Sequence, residues 1–415
     1  MRALVSDDIG LIKDISFTSN ESQLVCNESG ANHVVAIATV SKSPYVVMTS
    51  RVDGTLESFE LNEEQKSWVP KSKIDLEEAA ISIHAIEDKI LVLCESNVSV
   101  IIADAESIRL SKTYPLPEGP YSVVALMRSL ADERPARVIA AMDRAPPVVI
   151  DFEKGQIVWK GKNAPDTPLG LTSVFHTERI ISLSPSVFVA SDSTGRLRFY
   201  DTAVQKKPIL EYSVFQAFNI TNNYTGTTDM GQTRPIKQLE LTLDDSTLVL
   251  GDTHGSVIGL DLSKLLKDRS LFKIPVPDKE ANRFGTKAHL DYCRKLIPMK
   301  FSFPGVMGAV RSIAVTDAVV YVVTAGRYAY AFDIKSKGKK FQKMFLKQKL
   351  TCCIPIESVT LTKGQEDRDE DIDSEGDDND LVQDLLDAVD EKDDSGDVFM
   401  SKSKRRRLKK GAASR

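Results

Sequence analysis

A short hairpin pattern that recurs seven times constrains the fold of this chain more than any other feature of its sequence. Each copy has an apolar run, a turn that usually contains Gly, a second apolar run and a polar closing position. The copies occupy residues 3–15, 46–60, 90–102, 138–151, 188–201, 248–261 and 321–333. Alternating side chains on both sides of such a turn are typical of a β-hairpin. Because a lone hairpin cannot bury its apolar face, the pattern predicts hairpins stacked in a repeat architecture.

The spacing of the closing positions indicates the kind of repeat. These positions are Glu60, Asp104, Asp151, Asp201, Asp261 and Asp333. The successive steps are therefore 44, 47, 50, 60 and 72 residues. A blade of a WD-type propeller needs about 40–45 residues for four strands, and insertions lengthen it. The hairpins suit the last two strands of such a blade. The Trp of the Trp-Asp pair that is typical of these repeats is replaced by Tyr200, Leu260 and Phe332. We therefore predict an all-β, seven-bladed WD-type β-propeller.

The two ends of the repeat region predict how the ring closes. The first hairpin begins at residue 3, which leaves no room for two strands ahead of it. Strand-like runs at residues 341–346 and 350–356 are available to fill that place. We expect one blade to be shared between the N-terminus and residues 341–356, because such sharing removes exposed sheet edges. The predicted propeller domain is residues 1–357.

The net charge of −5 is distributed in blocks. Residues 366–397 contain seventeen acidic and two basic residues, whereas residues 402–415 contain eight basic residues and no acidic one. Chain segments with so much charge and so few aromatic residues cannot bury enough apolar surface to offset the entropy of ordering. We predict a disordered acidic segment at residues 358–401 and a basic tail at residues 402–415.

Two motifs in this C-terminal part predict partners. A dense basic run suits the acidic groove of a nuclear import receptor and also suits direct contact with RNA. Its members are Lys402, Lys404, Arg405, Arg406, Arg407, Lys409 and Lys410. Upstream, five apolar residues form one face of a possible amphipathic helix at residues 379–390, which would fold in a partner's groove. They are Leu381, Val382, Leu385, Leu386 and Val389. A solubilising tail and a chance cluster of leucines are the simpler interpretations.

Two basic segments lie within the predicted propeller. Residues 264–300 carry ten basic and four acidic residues, and residues 335–349 carry seven lysines and no acidic residue. Each begins just after a closing Asp, where we expect links from one blade's outer strand to the next blade's inner strand. Such links would lie side by side on one face and attract phosphate groups. The predicted RNA contacts are Lys335, Lys337, Lys339, Lys340, Lys343, Lys347 and Lys349. A solvated lysine-rich loop is the alternative.

The sequence contains no recognisable catalytic, metal or membrane motif. Its five histidines show no metal-ligand spacing, and we expect His254 to brace a hairpin turn. No phosphate-binding loop or nucleophile elbow is present. The five scattered cysteines suggest reduced thiols, and no apolar run is long enough for a transmembrane helix. We therefore expect no enzymatic activity, cofactor, metal, small-molecule substrate or membrane contact.

Several stretches resemble a known family. They are residues 159–165, 198–211, 250–262, 305–312 and 345–353. In this order and spacing they resemble the nucleolar WD-repeat factors of large ribosomal subunit assembly, the family of WD repeat-containing protein seventy-four and the fungal Nop-seven-associated factor. The resemblance implies a seven-bladed propeller that docks on pre-60S particles beside precursor rRNA and other assembly factors. It also implies residence in the nucleolus and removal from the particle by an AAA-type ATPase of the NVL/Rix class.

The positions that match this family best suggest a partner surface. They are Lys162 and Asn163 in one link and Arg311 in another. A structural role between blades is equally compatible with these positions. Two other functions stay open at this point. One is a nuclear acidic-tailed chaperone for histones or other basic proteins. The other is a hydrolytic propeller with a metal in a polar central channel, for which the sequence offers no ligand set.

Overall fold

In the residues that it describes, the computed structural model shows a seven-bladed β-propeller built from 28 strands in seven four-stranded antiparallel sheets. It describes residues 1–27, 32–42, 45–62, 64–86, 89–103, 107–129, 136–162, 176–220, 234–267, 286–303, 306–337 and 339–356. Each of the seven sequence repeats forms a hairpin of adjacent strands. The predicted fold class is therefore confirmed.

The blades are numbered I to VII from the N-terminus. Blade I contains β1 (Arg2–Asp7), β2 (Ile12–Ser16), β3 (Glu21–Cys26) and, from the other end of the propeller, β28 (Leu350–Pro355). Blade II contains β4 (Val34–Lys42), β5 (Tyr45–Arg51), β6 (Thr55–Asn62) and β7 (Ser67–Asp75). Blade III contains β8 (Ser82–Ile86), β9 (Lys89–Leu93), β10 (Asn97–Ala103) and β11 (Ile108–Pro115). Blade IV contains β12 (Val123–Leu126), β13 (Arg137–Ala141), β14 (Val148–Asp151) and β15 (Gln156–Lys160).

The second half of the ring repeats this arrangement. Blade V contains β16 (Thr177–Ser182), β17 (Val187–Asp192), β18 (Arg196–Asp201) and β19 (Leu210–Ser213). Blade VI contains β20 (Ile236–Leu241), β21 (Thr247–Asp252), β22 (Val257–Asp261) and β23 (Met299–Phe303). Blade VII contains β24 (Val310–Val315), β25 (Val319–Thr324), β26 (Tyr328–Asp333) and β27 (Phe341–Phe345).

Within the described residues, three helices occur in the links between these strands. They are α1 (Val214–Ala217), α2 (Ser263–Lys267) and α3 (Lys287–Leu296). The α3 helix begins after Thr286, whose side chain accepts a hydrogen bond from the backbone N–H of His289 at 3.2 Å. This bond satisfies one of the N–H groups that a helix start leaves without a partner. None of the described helices has the length and apolar character needed to cross a bilayer.

The core of the ring lies between the blades. In the described residues, seven clusters of buried apolar side chains each join two neighbouring blades. At the junction of blades VI and VII, the rings of Phe303 and Phe332 stack with their centroids 4.2 Å apart. Such pairs add about 0.5–1.5 kcal/mol to the stabilisation from burial alone. Each blade is therefore stabilised by the two beside it, as the repeat argument requires.

Blade I is the shared blade that closes the ring. Leu4 lies opposite Ile354 and Val5 opposite Cys353 in the antiparallel pairing of β1 with β28. Ser6 Oγ is 2.8 Å from Thr351 Oγ1 across the same pair. The prediction of a shared blade is confirmed, but residues 341–346 do not contribute to it. They form β27 and enter the link that follows it, because β3 already provides the outer strand of blade I and only the innermost strand is missing.

The recurrent hairpin occupies the middle of each blade and not its last two strands, which corrects the prediction. In blade VI the hairpin of β21 and β22 is followed by β23, which pairs with the outer side of β22. The hairpin turn is closed by Asp252, whose Oδ1 accepts hydrogen bonds from the backbone N–H groups of His254 and Ser256. Gly255 has a φ of +80°, and a Cβ there would lie 2.5 Å from the carbonyl oxygen of Val306. The turn sequence is thus fixed by backbone geometry.

Candidate nucleic-acid interface

The lysine-rich segment 335–349 lies on the outer strand of blade VII and on the two links beside it. Its seven lysines are all exposed. None of them forms an ion pair with a described residue, in contrast to many charged side chains elsewhere in the ring. Their positive charge is therefore not compensated by an acidic side chain in the described part of the fold.

The link between β26 and β27 is held by hydrogen bonds, and its lysine side chains are exposed to solvent. Asp333 Oδ1 accepts a hydrogen bond from the backbone N–H of Lys335 at 2.9 Å. The hydroxyl of Ser336 donates to the carbonyl oxygen of Asp333 and accepts from the backbone N–H of Lys340, at 2.8 and 3.0 Å. Lys337 has a φ of 53°, which is uncommon for a residue with a side chain. These bonds hold the backbone while the lysine side chains stay in solvent.

The link after β27 carries the other lysines to the opposite end of the strand. The backbone N–H of Leu346 donates to the carbonyl oxygen of Arg327 in the hairpin turn of blade VII. The carbonyl oxygen of Lys349 then accepts from the N–H of Asp8 in the hairpin turn of blade I. We predicted that the basic segments would occupy one face, and this is wrong for Lys347 and Lys349. A five-residue strand, about 17 Å long, separates them from Lys340.

The outer strand itself adds exposed aromatic rings to these charges. Phe341 and Phe345 are 47% and 55% exposed, while Met344 between them is buried. Because alternate residues of a strand share a face, Phe341, Lys343 and Phe345 form one stripe. We call these three residues the aromatic stripe. It lies on the same face as Tyr328, whose ring centroid is 5.9 Å from Lys343 Nζ and 5.3 Å from the ring of Phe345.

Sequence reasoning missed the rings of this site. The lysines were found from their number, but Phe341, Phe345 and the exposed Arg327 were not considered as contacts. The alternation of aromatic and lysine residues at 341, 343 and 345 was the available signal. This alternation becomes informative once residues 341–345 are recognised as an outer strand. Without that knowledge, the two phenylalanines would be expected in a hydrophobic core.

The second basic segment, residues 264–300, does not join an outer strand to the next blade as we expected. It leads from β22 to β23 within blade VI, in the position that residues 334–340 occupy in blade VII. The two links therefore leave equivalent strand ends of neighbouring blades. Several of its cations already have partners: Lys300 Nζ donates to Thr247 Oγ1 at 2.9 Å, and Arg294 pairs with Asp291. This segment is thus the weaker candidate within the described residues.

Nearby lysines also affect the closing Asp of blade VI. Burial acts to raise the pKa of Asp261, but hydrogen bonds from Ser263 and the charges of Lys300 and Lys264 outweigh it. The pKa of this carboxyl is consequently below its ordinary value. Asp261 keeps its negative charge and its bond to the backbone N–H of Ser263, which starts the basic link.

The residues predicted as a partner surface are not brought together. Lys162 is exposed beyond the outer strand of blade IV, and its backbone N–H donates to the carbonyl oxygen of Lys206 in blade V. Arg311 is exposed on β24, the innermost strand of blade VII, and its carbonyl oxygen accepts from Gln238 Nε2 at 2.6 Å. Both backbones therefore connect neighbouring blades. Asn163, the basic run at 402–410 and the possible helix at 379–390 lie outside the described residues.

The innermost strands carry a second group of charged side chains. Glu178 and Lys237 form an ion pair between β16 and β20, with 2.5 Å between Oε2 and Nζ. Burial raises the pKa of Glu240 on β20 to about 7, against the opposing charges of two arginines. Burial and the charge of Arg179 lower the pKa of His84 on β8 to about 4. Within the described ranges, no group of three or more His, Cys, Asp or Glu residues is placed to hold a metal ion.

Comparison with known proteins supports the architecture. The chain is similar to the β-propeller domain of Cps50 (Swd1) from Myceliophteria thermophila, with a TM-score of 0.50 and 14% sequence identity. The match covers 78% of this chain and 87% of that domain. At this identity the similarity shows the fold alone. No family model matches the chain.

Proposed function

We propose that this protein is a non-catalytic scaffold in the assembly of the large ribosomal subunit. In this role it docks on pre-60S particles, contacts precursor rRNA through the lysines of segment 335–349, and binds other assembly factors. The observation that carries the RNA contact is a run of seven exposed lysines, with no acidic residue among them, on the outer strand of blade VII and the two links beside it. Phosphate backbones bind such concentrated positive charge by releasing counterions.

The sequence resemblance supports the choice of particle. It extends over about residues 1–356, which include the whole described propeller. We propose nucleolar residence, with import through a nuclear import receptor that binds the basic run at residues 402–410. Release from the particle by an AAA-type ATPase of the NVL/Rix class completes the proposed cycle.

Gradient sedimentation of the tagged, full-length protein from cell extract tests the scaffold role. We expect the protein in fractions that contain pre-60S particles, together with precursor rRNA and assembly factors. Sedimentation only with histones or other basic proteins, and loss of that association when residues 366–397 are deleted, would favour the acidic-tailed chaperone instead.

A charge variant tests the RNA contact within the same experiment. Replacing Lys335, Lys339, Lys340 and Lys347 by Gln removes four positive charges from exposed positions. We expect weaker association with precursor rRNA and a salt dependence of binding that is shallower by about 3 in the log–log slope, if each lysine meets a phosphate of unpaired RNA. Lys66, Lys112, Lys206 and Lys207 in other blades are also exposed and form no ion pair with a described residue, so they provide a matched quartet for a control variant. Equal rRNA binding by both variants and the unaltered protein would reject this contact.

The import proposal has an independent test. A reporter fused to residues 398–415 should accumulate in the nucleus, whereas the same reporter without residues 404–407 should not. Equal distribution of the two reporters would contradict a role for the basic run in import.

A further inference from the structure

The aromatic stripe on blade VII is an exposed feature that the charge of the segment does not explain. Lysine on an outer strand is a common protection against edge-to-edge pairing of sheets. Half-exposed phenylalanines have the opposite effect, because exposed apolar side chains on an edge strand promote association with other chains. The two rings at residues 341 and 345 therefore require a separate explanation.

The geometry of the rings is that of a stacking surface. Phe341 packs against Phe332 with centroids 5.7 Å apart, and Phe345 packs against Tyr328 at 5.3 Å. These contacts with residues of β26 restrict the orientation of both rings, while about half of each side chain remains exposed to solvent. The two Cα positions are about 13 Å apart along the strand, with Lys343 midway. A ligand with flat apolar groups separated by negative charge fits this order.

We infer that the aromatic stripe binds unpaired RNA, with a base stacked on Phe341, a base stacked on Phe345 and a phosphate between them at Lys343. This inference rests on the proposed function, to which it adds the class of RNA. Proteins that bind single strands combine a basic surface with aromatic side chains on which bases stack. A duplex has its bases stacked on each other and offers only phosphates to such a surface. The stripe should therefore distinguish single strands from duplexes, whereas the lysines alone should not.

The surroundings favour RNA over an acidic peptide as the occupant. Cations continue beyond both ends of the stripe, at Lys339 and Lys340 before β27 and at Lys347 after it. The exposed Arg327 lies beside this second end, because its carbonyl oxygen accepts from the N–H of Leu346. A regularly charged chain that runs along the whole strand would meet positive charge throughout its path.

Binding measurements on the full-length protein test the inference. The probes are a single-stranded oligouridylate of roughly 12 nucleotides, a duplex RNA of the same length, and a polyglutamate peptide. The test variant is Phe341→Leu with Phe345→Leu, which keeps apolar side chains on the strand but removes both rings. We expect its affinity for the single strand to fall about tenfold or more, which corresponds to about 1.4 kcal/mol. Duplex binding should change by less than about twofold, since no base is stacked.

Two further variants serve as controls, one that retains an aromatic ring at residue 345 and one that changes an exposed apolar residue on another blade. Phe345→Tyr retains a ring and should bind the single strand within about twofold of the unaltered protein, which shows that the ring and not the strand geometry is lost in the leucine variant. Leu110→Ala changes a residue of similar exposure on the outer strand of blade III and should leave RNA binding unchanged. Thermal unfolding of all variants identifies any that do not fold.

The outcomes separate this inference from the proposed function. If the leucine variant binds the single strand normally while the four-lysine variant does not, phosphate contact stands and base stacking is rejected. If the leucine variant loses single-strand and duplex binding equally, or loses only polyglutamate binding, the inference is also overturned. If the four-lysine variant binds RNA normally as well, the RNA contact in the proposed function fails with it.

Discussion

Arg234 at the junction of blades V and VI and Lys343 on the outer strand of blade VII both lie near the face of an aromatic ring. The guanidinium of Arg234 is 4.3 Å from the ring centroid of Phe215, and Nζ of Lys343 is 5.9 Å from that of Tyr328. Arg234 also donates to Asp252 and Ser256 and is buried. Lys343 is exposed and forms no ion pair with a described residue. The same type of contact thus serves the fold in one region and leaves a charge available in the other.

This difference indicates where a partner can bind without disturbing the ring. Charge at the blade junctions is compensated within the protein, so a change there affects stability first. Charge on β27 is compensated by solvent and salt, so a change there should affect binding and leave stability nearly constant. Substitutions in the two regions should therefore differ in their effect on stability, with the largest loss at the junctions.

Replacing Arg234 by Met should lower the free energy of unfolding by about 3–5 kcal/mol. The change leaves the carboxylate of Asp252, which is fully buried, without its cationic partner. Denaturant unfolding of the purified protein measures the effect, and Lys343→Met provides the matched control on the outer strand. A loss below about 1 kcal/mol for Arg234→Met would contradict the assigned role of the junction charge.

A second titratable side chain at an inner position, that of Glu240, should make the stability of the protein depend on pH. Its pKa is about 7 in the fold against an ordinary value of 4.5, so the folded state retains a proton that the unfolded state loses between these values. Its contribution to stability is therefore fully present below pH 4.5 and falls as the pH rises to about 7, by at most roughly 3 kcal/mol.

The variant Glu240→Gln isolates this contribution. The free energy of unfolding of the unaltered protein minus that of the variant should decrease between pH 4.5 and pH 8. The difference is the quantity to measure, because His84, with a pKa lowered to about 4, changes stability in the opposite sense between about pH 4 and its ordinary 6.5. A difference that does not vary with pH would show that Glu240 ionises as it does in the unfolded chain.

Removing the side-chain acceptor of Asp333 should have an intermediate effect. Asp333→Ala deletes the hydrogen bond to the N–H of Lys335, at an expected cost of about 1 kcal/mol, and loosens the lysine turn before β27. Asp333→Asn keeps an oxygen at this position and should recover most of the loss. Hydrogen exchange of residues 335–340 in the three proteins measures the change, and equal exchange in all of them would contradict this role of the carboxylate.

The four-lysine variant should have the smallest effect on stability. Exposed side chains without ion pairs usually contribute no more than about 0.5 kcal/mol, so its unfolding curve should match that of the unaltered protein. A loss of several kcal/mol would show that the lysines support the ring, which would remove the contrast with Arg234.

Much of the fold was predictable because the hairpin turn leaves a local signature. Asp252 and Gly255 are dictated by the geometry of a tight turn, and a Gly with positive φ recurs in the hairpin turns of blades I, II and V. The position of the hairpin within the blade was not predictable from the same residues. It depends on whether the following segment pairs with the hairpin, and an exposed outer strand such as β27 has too few buried positions to be recognised by its pattern.

The candidate site was predictable only in part for a related reason. The number of lysines indicated an electrostatic site, but the direction of each side chain depends on the strand that carries it. The placement of Lys347 away from Lys340 follows from β27 being a strand between them, and the exposure of Phe341 follows from its position on the outermost strand of its blade. Both are properties of the assembled ring, and neither is encoded in the local composition.

The most direct test of this account is ultraviolet cross-linking of the protein to RNA in isolated pre-60S fractions, followed by mass spectrometry of the cross-linked peptides. Aromatic residues in contact with bases should give the strongest products, so we expect cross-links at Phe341 or Phe345 and in the adjoining lysine links. Cross-links confined to other blades, with none between residues 327 and 349, would contradict the assignment of this strand as the RNA-binding surface.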